Sequence, residues 1–279
     1  MTQLDLSIIG KKTEERVFKY NWKDIILYNL GIGAQPDELP FVYENYPSGL
    51  KVFPSYSCII AGVGLQLKTL GEIKLSHFVH GEQLIHIHKP FTPSGEIICQ
   101  GEVVNIFDKG KAAVIHMKVS GHSSGGDPIF DTYWVFFYLG AGGFGGDPGP
   151  KTEPLKPPEG KKPDFSQSYK TSINQAALYR LNGDFNPLHI DPEIAARSGR
   201  FKAPILHGLC TYGFTTRAIV YNLCDGEVSR FKEFKVRFTH EVYPGETLTI
   251  EGWKDNGRYI IQAKTKRAVV LGNAYVIVE

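Results

Sequence analysis

The spacing of apolar positions changes character several times along the chain. Between Phe18 and Leu30, Trp22, Ile25, Ile26 and Leu30 fall at helical intervals ahead of Gly31, which predicts an amphipathic helix ended by that glycine. Proline and tyrosine then dominate to about residue 54, predicting irregular structure. Ser55 to Leu70 is apolar but broken by Gly62 and Gly64, so a helix there is short or distorted. From residue 77 the period drops towards two: Gln83 to Lys89, Glu96 to Phe107, Ala112 to Val119 and Thr132 to Leu139 read as a β-meander, with Asp108-Lys109-Gly110 as a tight turn.

Gly140 to Pro163 interrupts this with AGGFGGDPGP and PLKPPEGKKP, too rich in glycine and proline for a packed element, and reads as an interdomain connection. The second half resumes with a short strand (Phe165 to Tyr169) and a helix from Asn174 to about Leu181. A short helix follows, capped by Asp191-Pro192 and closed by Gly199. His207-Gly208 then opens a long helix to Leu223 whose apolar residues lie nearly all round the wheel, the mark of a buried helix. Strands over Phe231 to Val242, Thr247 to Trp253, Tyr259 to Lys266 and Val269 to Val278 complete the chain, with Asp255-Asn256-Gly257 as a hairpin turn. A helix followed by an antiparallel sheet is therefore expected twice: a first repeat over 1–145, a linker over 146–163 and a second repeat over 164–279. No long helix is visible in the first half, which leaves room inside its sheet.

Composition narrows the class. The chain has 279 residues, enough for a large core in one or two domains, and its 30 glycines and short β-branched runs favour a β-rich α+β protein. With 31 basic and 29 acidic residues the net charge is +2, so no global field favours nucleic acid or a membrane surface as partner. No segment approaches the roughly 20 apolar residues that span a bilayer. Cys58, Cys99, Cys210 and Cys224 lack metal or redox spacing, and no signal peptide is visible, which predicts free thiols in a reducing compartment. Cys210 and Cys224 read as small apolar core residues.

One stretch concentrates chemistry. Asp184-Phe185-Asn186-Pro187-Leu188-His189 holds a carboxylate, a carboxamide and an imidazole within six residues, and Pro187 disfavours helical geometry at Asn186, so the segment turns rather than continuing a helix. A carboxylate and a histidine held together can take a proton from water and deliver one elsewhere. The plain structural account is that Asp184 and Asn186 close an Asx-turn before the proline while His189 caps the next helix. A second feature is Gly208 at the first turn of the buried helix, where free backbone N–H groups at the positive end of the dipole suit a developing oxyanion; alone, it reads as a packing glycine.

From Tyr179 through Arg180-Leu181-Asn182-Gly183 to His189, with Ala195 beyond, the chain closely resembles the signature of the MaoC-like (R)-specific enoyl-CoA hydratases. Asn182 departs from it, standing where the family usually has a small residue. Phe201 to Phe214, Val228 to Phe238, Val242-Tyr243-Pro244-Gly245 and His80-Gly81-Glu82-Gln83 extend the resemblance over nearly the whole chain. It implies a double hot-dog fold, with catalysis in the C-terminal repeat and the acyl chain in the N-terminal one. It further implies that Asp184 and His189 activate water for addition to trans-2-enoyl-CoA, that Asn186 helps hold that water, and that the Gly208 N–H polarises the thioester carbonyl. His80, Gly81, Lys109, Phe185, Pro187, Leu188 and Phe238 would contact the acyl-CoA substrate. No cofactor is expected, since CoA is part of the substrate and the thioester already eases charge at C2; nor is a metal. A homodimer, membership of a larger multifunctional enzyme and a peroxisomal location are implied by the resemblance alone, as the chain ends at Val278-Glu279 without an SKL-type address.

Two features are not taken as sites. His86-Ile87-His88 puts two imidazoles on one strand face, but no carboxylate or cysteine lies nearby in sequence, so a polar sheet face is expected. Gly140 to Gly149 lacks the Lys-Ser/Thr ending of a phosphate loop. A hot-dog acyl-CoA thioesterase and a non-catalytic acyl-CoA binding module are the competing functions. Release of free CoA would mark the first, and the intact Asp184, Asn186 and His189 set speaks against the second.

Overall fold

The computed structural model describes residues 4–71, 73–74, 77–151 and 153–279. Its first element departs from the periodicity: Arg16–Tyr20 form a strand, β1, and the helix α1 covers only Trp22–Gly31. Asn21 sets the boundary. Its side chain accepts from the Lys23 N–H while Asp24 reaches back to the Asn21 N–H, a capping box that starts the helix there. Two short helices follow, α2 (Leu39–Val42) and α3 (Ser57–Ala61), then β2 (Phe78–Ile87), β3 (Gly95–Asp108), β4 (Ala112–His122) and β5 (Pro128–Leu139). The helix that periodicity extends back to Phe18 loses those residues to β1 because Arg16 to Tyr20 pair with Cys99 to Gly95 of β3, a partner some eighty residues away.

The second half comprises β6 (Phe165–Lys170), α4 (Gln175–Tyr179), α5 (Pro192–Arg197), α6 (Gly208–Leu223), β7 (Phe231–Phe238), β8 (Thr247–Asp255), β9 (Arg258–Lys264) and β10 (Val269–Val278). β7 stops at Phe238, short of the expected Val242, because Val242 instead offers its carbonyl to the Leu206 N–H just before α6. The β8–β9 hairpin turns on Asn256 and Gly257, both at positive φ, as the Asp-Asn-Gly sequence requires.

The ten strands form one antiparallel sheet in the order β1-β3-β4-β5-β2-β7-β10-β9-β8-β6. Read outward from the centre, the two sides repeat the same pattern with strand numbers offset by five. This is the double hot-dog arrangement. The join is β2 against β7, registered from Glu82↔Arg237 to His86↔Glu233. Glu82 accepts from Arg237 at 2.8 Å and pairs with Lys235 at 3.2 Å, so a carboxylate of the first repeat is neutralised by two cations of the second.

The helices inside the two halves are unequal. In α6 every residue from Cys210 to Val220 is buried, and its first-repeat neighbours are fitted to it: a Cβ on Gly213 would fall 2.3 Å from Ile32, and one on Gly33 would fall 2.2 Å from the Phe214 ring. The five-residue α3 occupies the matching place against β3, β4 and β5. Among the described residues a cleft of about 100 Å³ lies between Leu27, Tyr56 and Ile59 of the first repeat and Leu181 and Asn182 of the second. No helix among the described residues is long and apolar enough to cross a membrane.

Residues 140–164 contain neither helix nor strand where described, Thr152 lying outside the described residues. The segment is nonetheless pinned. The N–H groups of Gly143 and Gly145 donate to the Asp108 carboxylate at 2.8 Å each, that of Leu155 to Asn273 Oδ1, and the indole of Trp253 donates to the Lys161 carbonyl. Backbone N–H bonds to Asp108, led by that of Gly143, hold its carboxyl below the usual range. The His86 and His88 rings do share a face, 4.6 Å apart, but carboxylates absent nearby in sequence reach them in space: Glu233 from β7 and Asp131 from β5. They form part of a polar sheet face. All four cysteines are free and buried.

A buried ion pair also bridges the repeats. Arg217 of α6 donates to Glu38, just ahead of α2, while its guanidinium lies 4.1 Å from the centre of the Tyr169 ring. Glu38→Gln removes the negative partner and leaves a buried guanidinium, so urea unfolding is expected to show a loss of about 3–5 kcal/mol. Glu227→Gln, whose pairing with Lys51 is exposed on the glutamate side, is expected to cost under about 1 kcal/mol.

Candidate active site

The stretch singled out by its chemistry folds as two consecutive tight turns. Asp184 Oδ1 accepts the Asn186 N–H at 3.2 Å, and Asn186 Oδ1 accepts the Leu188 N–H at 3.1 Å, capping one turn of 3-10 helix over Pro187–His189. The plain Asx-turn account of Asp184 and Asn186 is therefore correct as far as it goes. It fails for His189, because Asp191 caps α5 with its own side chain. His189 is turned inward instead, 9% exposed, and its Nδ1–H donates to the Ile205 carbonyl at 2.9 Å. A carbonyl can only accept, so Nδ1 carries the proton and Nε2 is left with a free lone pair.

A residue that sequence reasoning used only to mark a helix start completes the group. The ring of His207, N-cap of α6, lies on that of His189 with centroids 3.8 Å apart, and its Nε2–H donates to the Asp184 carbonyl at 3.2 Å. Asp184, His189 and His207 each bring one ligand-type atom to within 4.8 Å of the others, a donor set that could also hold a metal ion. Two of the four imidazole nitrogens already face carbonyl oxygens, which leaves Nε2 of His189 and Nδ1 of His207. His207 carried no spacing signal; the sole hint was a polar residue flush against an otherwise buried helix.

Gly208 follows at once. Its N–H belongs to the first turn of α6, where no intrahelical acceptor exists, and the residue is exposed. A Cβ here would lie 3.1 Å from the Phe238 ring, so glycine keeps the approach to that N–H narrow yet open. Phe238 in turn meets His80, ring centroids 4.9 Å apart, and His80 also stacks on Trp134 at 4.9 Å.

His80 reaches the inner face of the sheet because of an irregularity. Along β2, Gln83 opposes Trp134 and Glu82 opposes Val135, but His80 opposes Phe136, so Gly81 is an extra residue, a β-bulge. Strict alternation would put His80 on the outer face with Phe137. The bulge turns it inward among Trp134 and Phe136, close enough to Asp184 for the carboxylate to act on its charge. A Cβ on Gly81 would lie 2.3 Å from the Phe137 ring, which accounts for glycine there.

The remaining candidates stand further out. Phe185 and Pro187 are exposed, and Phe185 lies under the Arg180 guanidinium at 5.2 Å. Leu188 is half-buried. Lys109 is exposed in the β3–β4 turn, at the same sheet end as His80 but beyond β5 and β4. The structure thus gathers Asp184, His189, Gly208, His80 and Phe238, adds His207, and leaves Lys109 apart.

Comparison with known proteins gives the family. A family model described as MaoC like domain matches residues 154–274, and one described as MFE-2 hydratase 2 N-terminal domain matches residues 18–140. The probable enoyl-CoA hydratase 2 of Dictyostelium discoideum is 38% identical over 98% of this chain and 95% of its own length. The chain belongs to the MaoC-like enoyl-CoA hydratase 2 family. Peroxisomal multifunctional enzyme type 2 of Mus musculus is 41% identical over 96% of the chain, which spans only 38% of that longer protein. Among solved structures, the MaoC-like dehydratase from Phytophthora capsici superposes with a TM-score of 0.88 at 31% identity, covering 99% of this chain and 98% of that one.

The histidines of this hydratase-family site are held neutral. Burial dominates each shift: it pushes His207 down to about 3, His80 down to about 4, and His189 below its usual value, where the Ile205 carbonyl and Asp184 partly oppose it. In the unfolded chain these groups take up protons near pH 6.5, while the folded state resists. Stability is therefore full above about pH 6.5 and falls on acidification, by about 1.4 kcal/mol per pH unit for each such histidine, until the folded-state values are reached. Urea unfolding between about pH 6 and 4.5 is expected to show this slope, with His80→Phe or His207→Phe each reducing it by about 1.4 kcal/mol per unit.

Proposed function

We propose that this chain adds water across the double bond of trans-2-enoyl-CoA thioesters to give (3R)-3-hydroxyacyl-CoA, with Asp184 and His189 activating the water. The observation that carries the proposal is the convergence of the Asp184 carboxylate with a His189 whose Nε2 is free, beside a helix start whose Gly208 N–H lacks an acceptor. Water held between Asp184 and His189 loses a proton as its oxygen bonds to C3. Electron density moves through C2 to the thioester oxygen, where the Gly208 N–H stabilises the developing charge. C2 then takes a proton from the pair, and the carbonyl re-forms. Atoms balance with water as sole co-reactant, so no cofactor enters the scheme, CoA being part of the substrate.

In this reading Asn186 acts chiefly by keeping the loop turned, since its Oδ1 is already given to Leu188 N–H. His80 and Phe238 wall the thioester side, and Gly81 supplies the bulge that aims His80 there. Phe185, Pro187 and Leu188 flank the entrance, and Lys109, apart from the site, meets the outer part of CoA. The second repeat does the chemistry and the first takes the acyl chain. A place within a multifunctional enzyme and a peroxisomal location belong to the same proposal, supported by relatives whose names say peroxisomal and multifunctional; a homodimer is part of it on the family resemblance alone.

Loss of enoyl absorbance on incubation with trans-2-decenoyl-CoA tests the assignment. Asp184→Asn and His189→Gln are each expected to lower kcat by about 100- to 10,000-fold while the variants stay folded. Near-normal rates in either would overturn the site.

A further inference from the structure

The hydration chemistry assigns no task to His207, yet it is almost fully enclosed, 1% exposed. Its ring is held between Tyr179, 4.9 Å away, and His189, 3.8 Å away with planes 29° apart. One nitrogen, Nδ1, is buried without a partner. Leaving a buried acceptor unmet costs about 1–3 kcal/mol, which a phenylalanine in the same space would avoid. What phenylalanine could not supply is the Nε2–H, and that hydrogen points at the backbone carbonyl of Asp184, 23 residues back along the chain.

That bond matters because, among the described residues, no other hydrogen bond or ion pair ties Asp184 to the body of the protein. The other hydrogen bond of Asp184 is local, to the N–H of Asn186 within the same turn. Gly183, at φ +118, precedes it, and exposed Phe185 follows, so the neighbouring residues supply little anchorage. His189, by contrast, is fixed through Ile205. Without His207 the carboxylate and the imidazole would be joined only through a short loop.

We infer that His207 is a positioning residue of the hydration reaction: by bonding the Asp184 carbonyl while lying on the His189 ring, it fixes carboxylate and imidazole relative to one another across a single water. This rests on the hydration reading above. Four titratable groups face His207: Asp184 and His189 from the loop, and Tyr179 and Arg180 from the end of α4. Arg180 and a protonated His189 both oppose a proton on His207, in keeping with a neutral ring that donates through Nε2.

The test compares wild type, His207→Phe and His207→Gln with trans-2-decenoyl-CoA from about pH 5 to 9, with urea unfolding of each. Phenylalanine keeps the stacked ring and loses the donor; glutamine offers an amide N–H near the position of Nε2. Misplacement of about 1 Å can cost 100-fold, so His207→Phe is expected to lower kcat by about 10- to 100-fold with KM little changed. The acid limb of its kcat/KM profile moves to lower pH, because freeing Asp184 removes a charge that holds the His189 value up, and His207→Gln restores most of kcat. Unchanged kcat and pH profile in His207→Phe overturn the inference, as does equal loss in both variants that tracks lowered stability. If His207→Phe does not fold, His207→Gln decides alone: kcat near wild type supports the inference, and a tenfold loss with full stability overturns it. Failure of wild type itself to hydrate the substrate strikes the functional reading instead.

Discussion

The pairing of β2 with β7 is the constraint on which the rest depends, because it converts two repeats, each with an open sheet edge, into a single ten-stranded sheet and brings residues of both to the same end of it. An unpaired central edge would expose a row of backbone donors and acceptors; closing it satisfies them and fixes the register. Register then decides which side chains face inward, and the Gly81 bulge alters it at one point to turn His80 to the inner face of the sheet. α6 and the Glu38–Arg217 pair strengthen the same join from inside. A site shared between repeats is thus a consequence of sheet pairing.

Local structure and chemistry are not rivals in the loop around Asp184. The Asx-turns use one oxygen of Asp184 and the side-chain oxygen of Asn186 to hold the chain against Pro187, which among the described residues leaves the second carboxylate oxygen and His189 Nε2 unengaged. Turn residues here do double duty, since the geometry that satisfies the backbone also aims the groups that could move protons. The same economy explains why a buried imidazole, rather than an apolar ring, sits at the start of α6.

What the sequence discloses follows the range of the interactions involved. The meander, the Asn256-Gly257 hairpin and the all-round apolar α6 are legible because each rests on neighbours a few residues apart. β1 is not, since its partner is β3 and the local period from Phe18 onward is helical. Nor is the bulge: alternation runs smoothly through Gly81, so His80 and Gly81 were indicated only by family resemblance. Asp184, Asn186 and His189 announce themselves by spacing and composition. His207 does not, because its acceptor is a main-chain carbonyl that any residue carries. The carboxylates beside His86 and His88 were missed for the same reason of distance along the chain.

In the proposed mechanism, water bound between Asp184 and His189 reaches C3 from a single face of an enoyl thioester held at Gly208. Chiral analysis of the product formed from trans-2-decenoyl-CoA in ¹⁸O-labelled water tests it most directly. The expected product is (3R)-3-hydroxydecanoyl-CoA with the label at C3 and the thioester intact. A 3S or racemic product, or release of free CoA with label in the carboxylate, would contradict it.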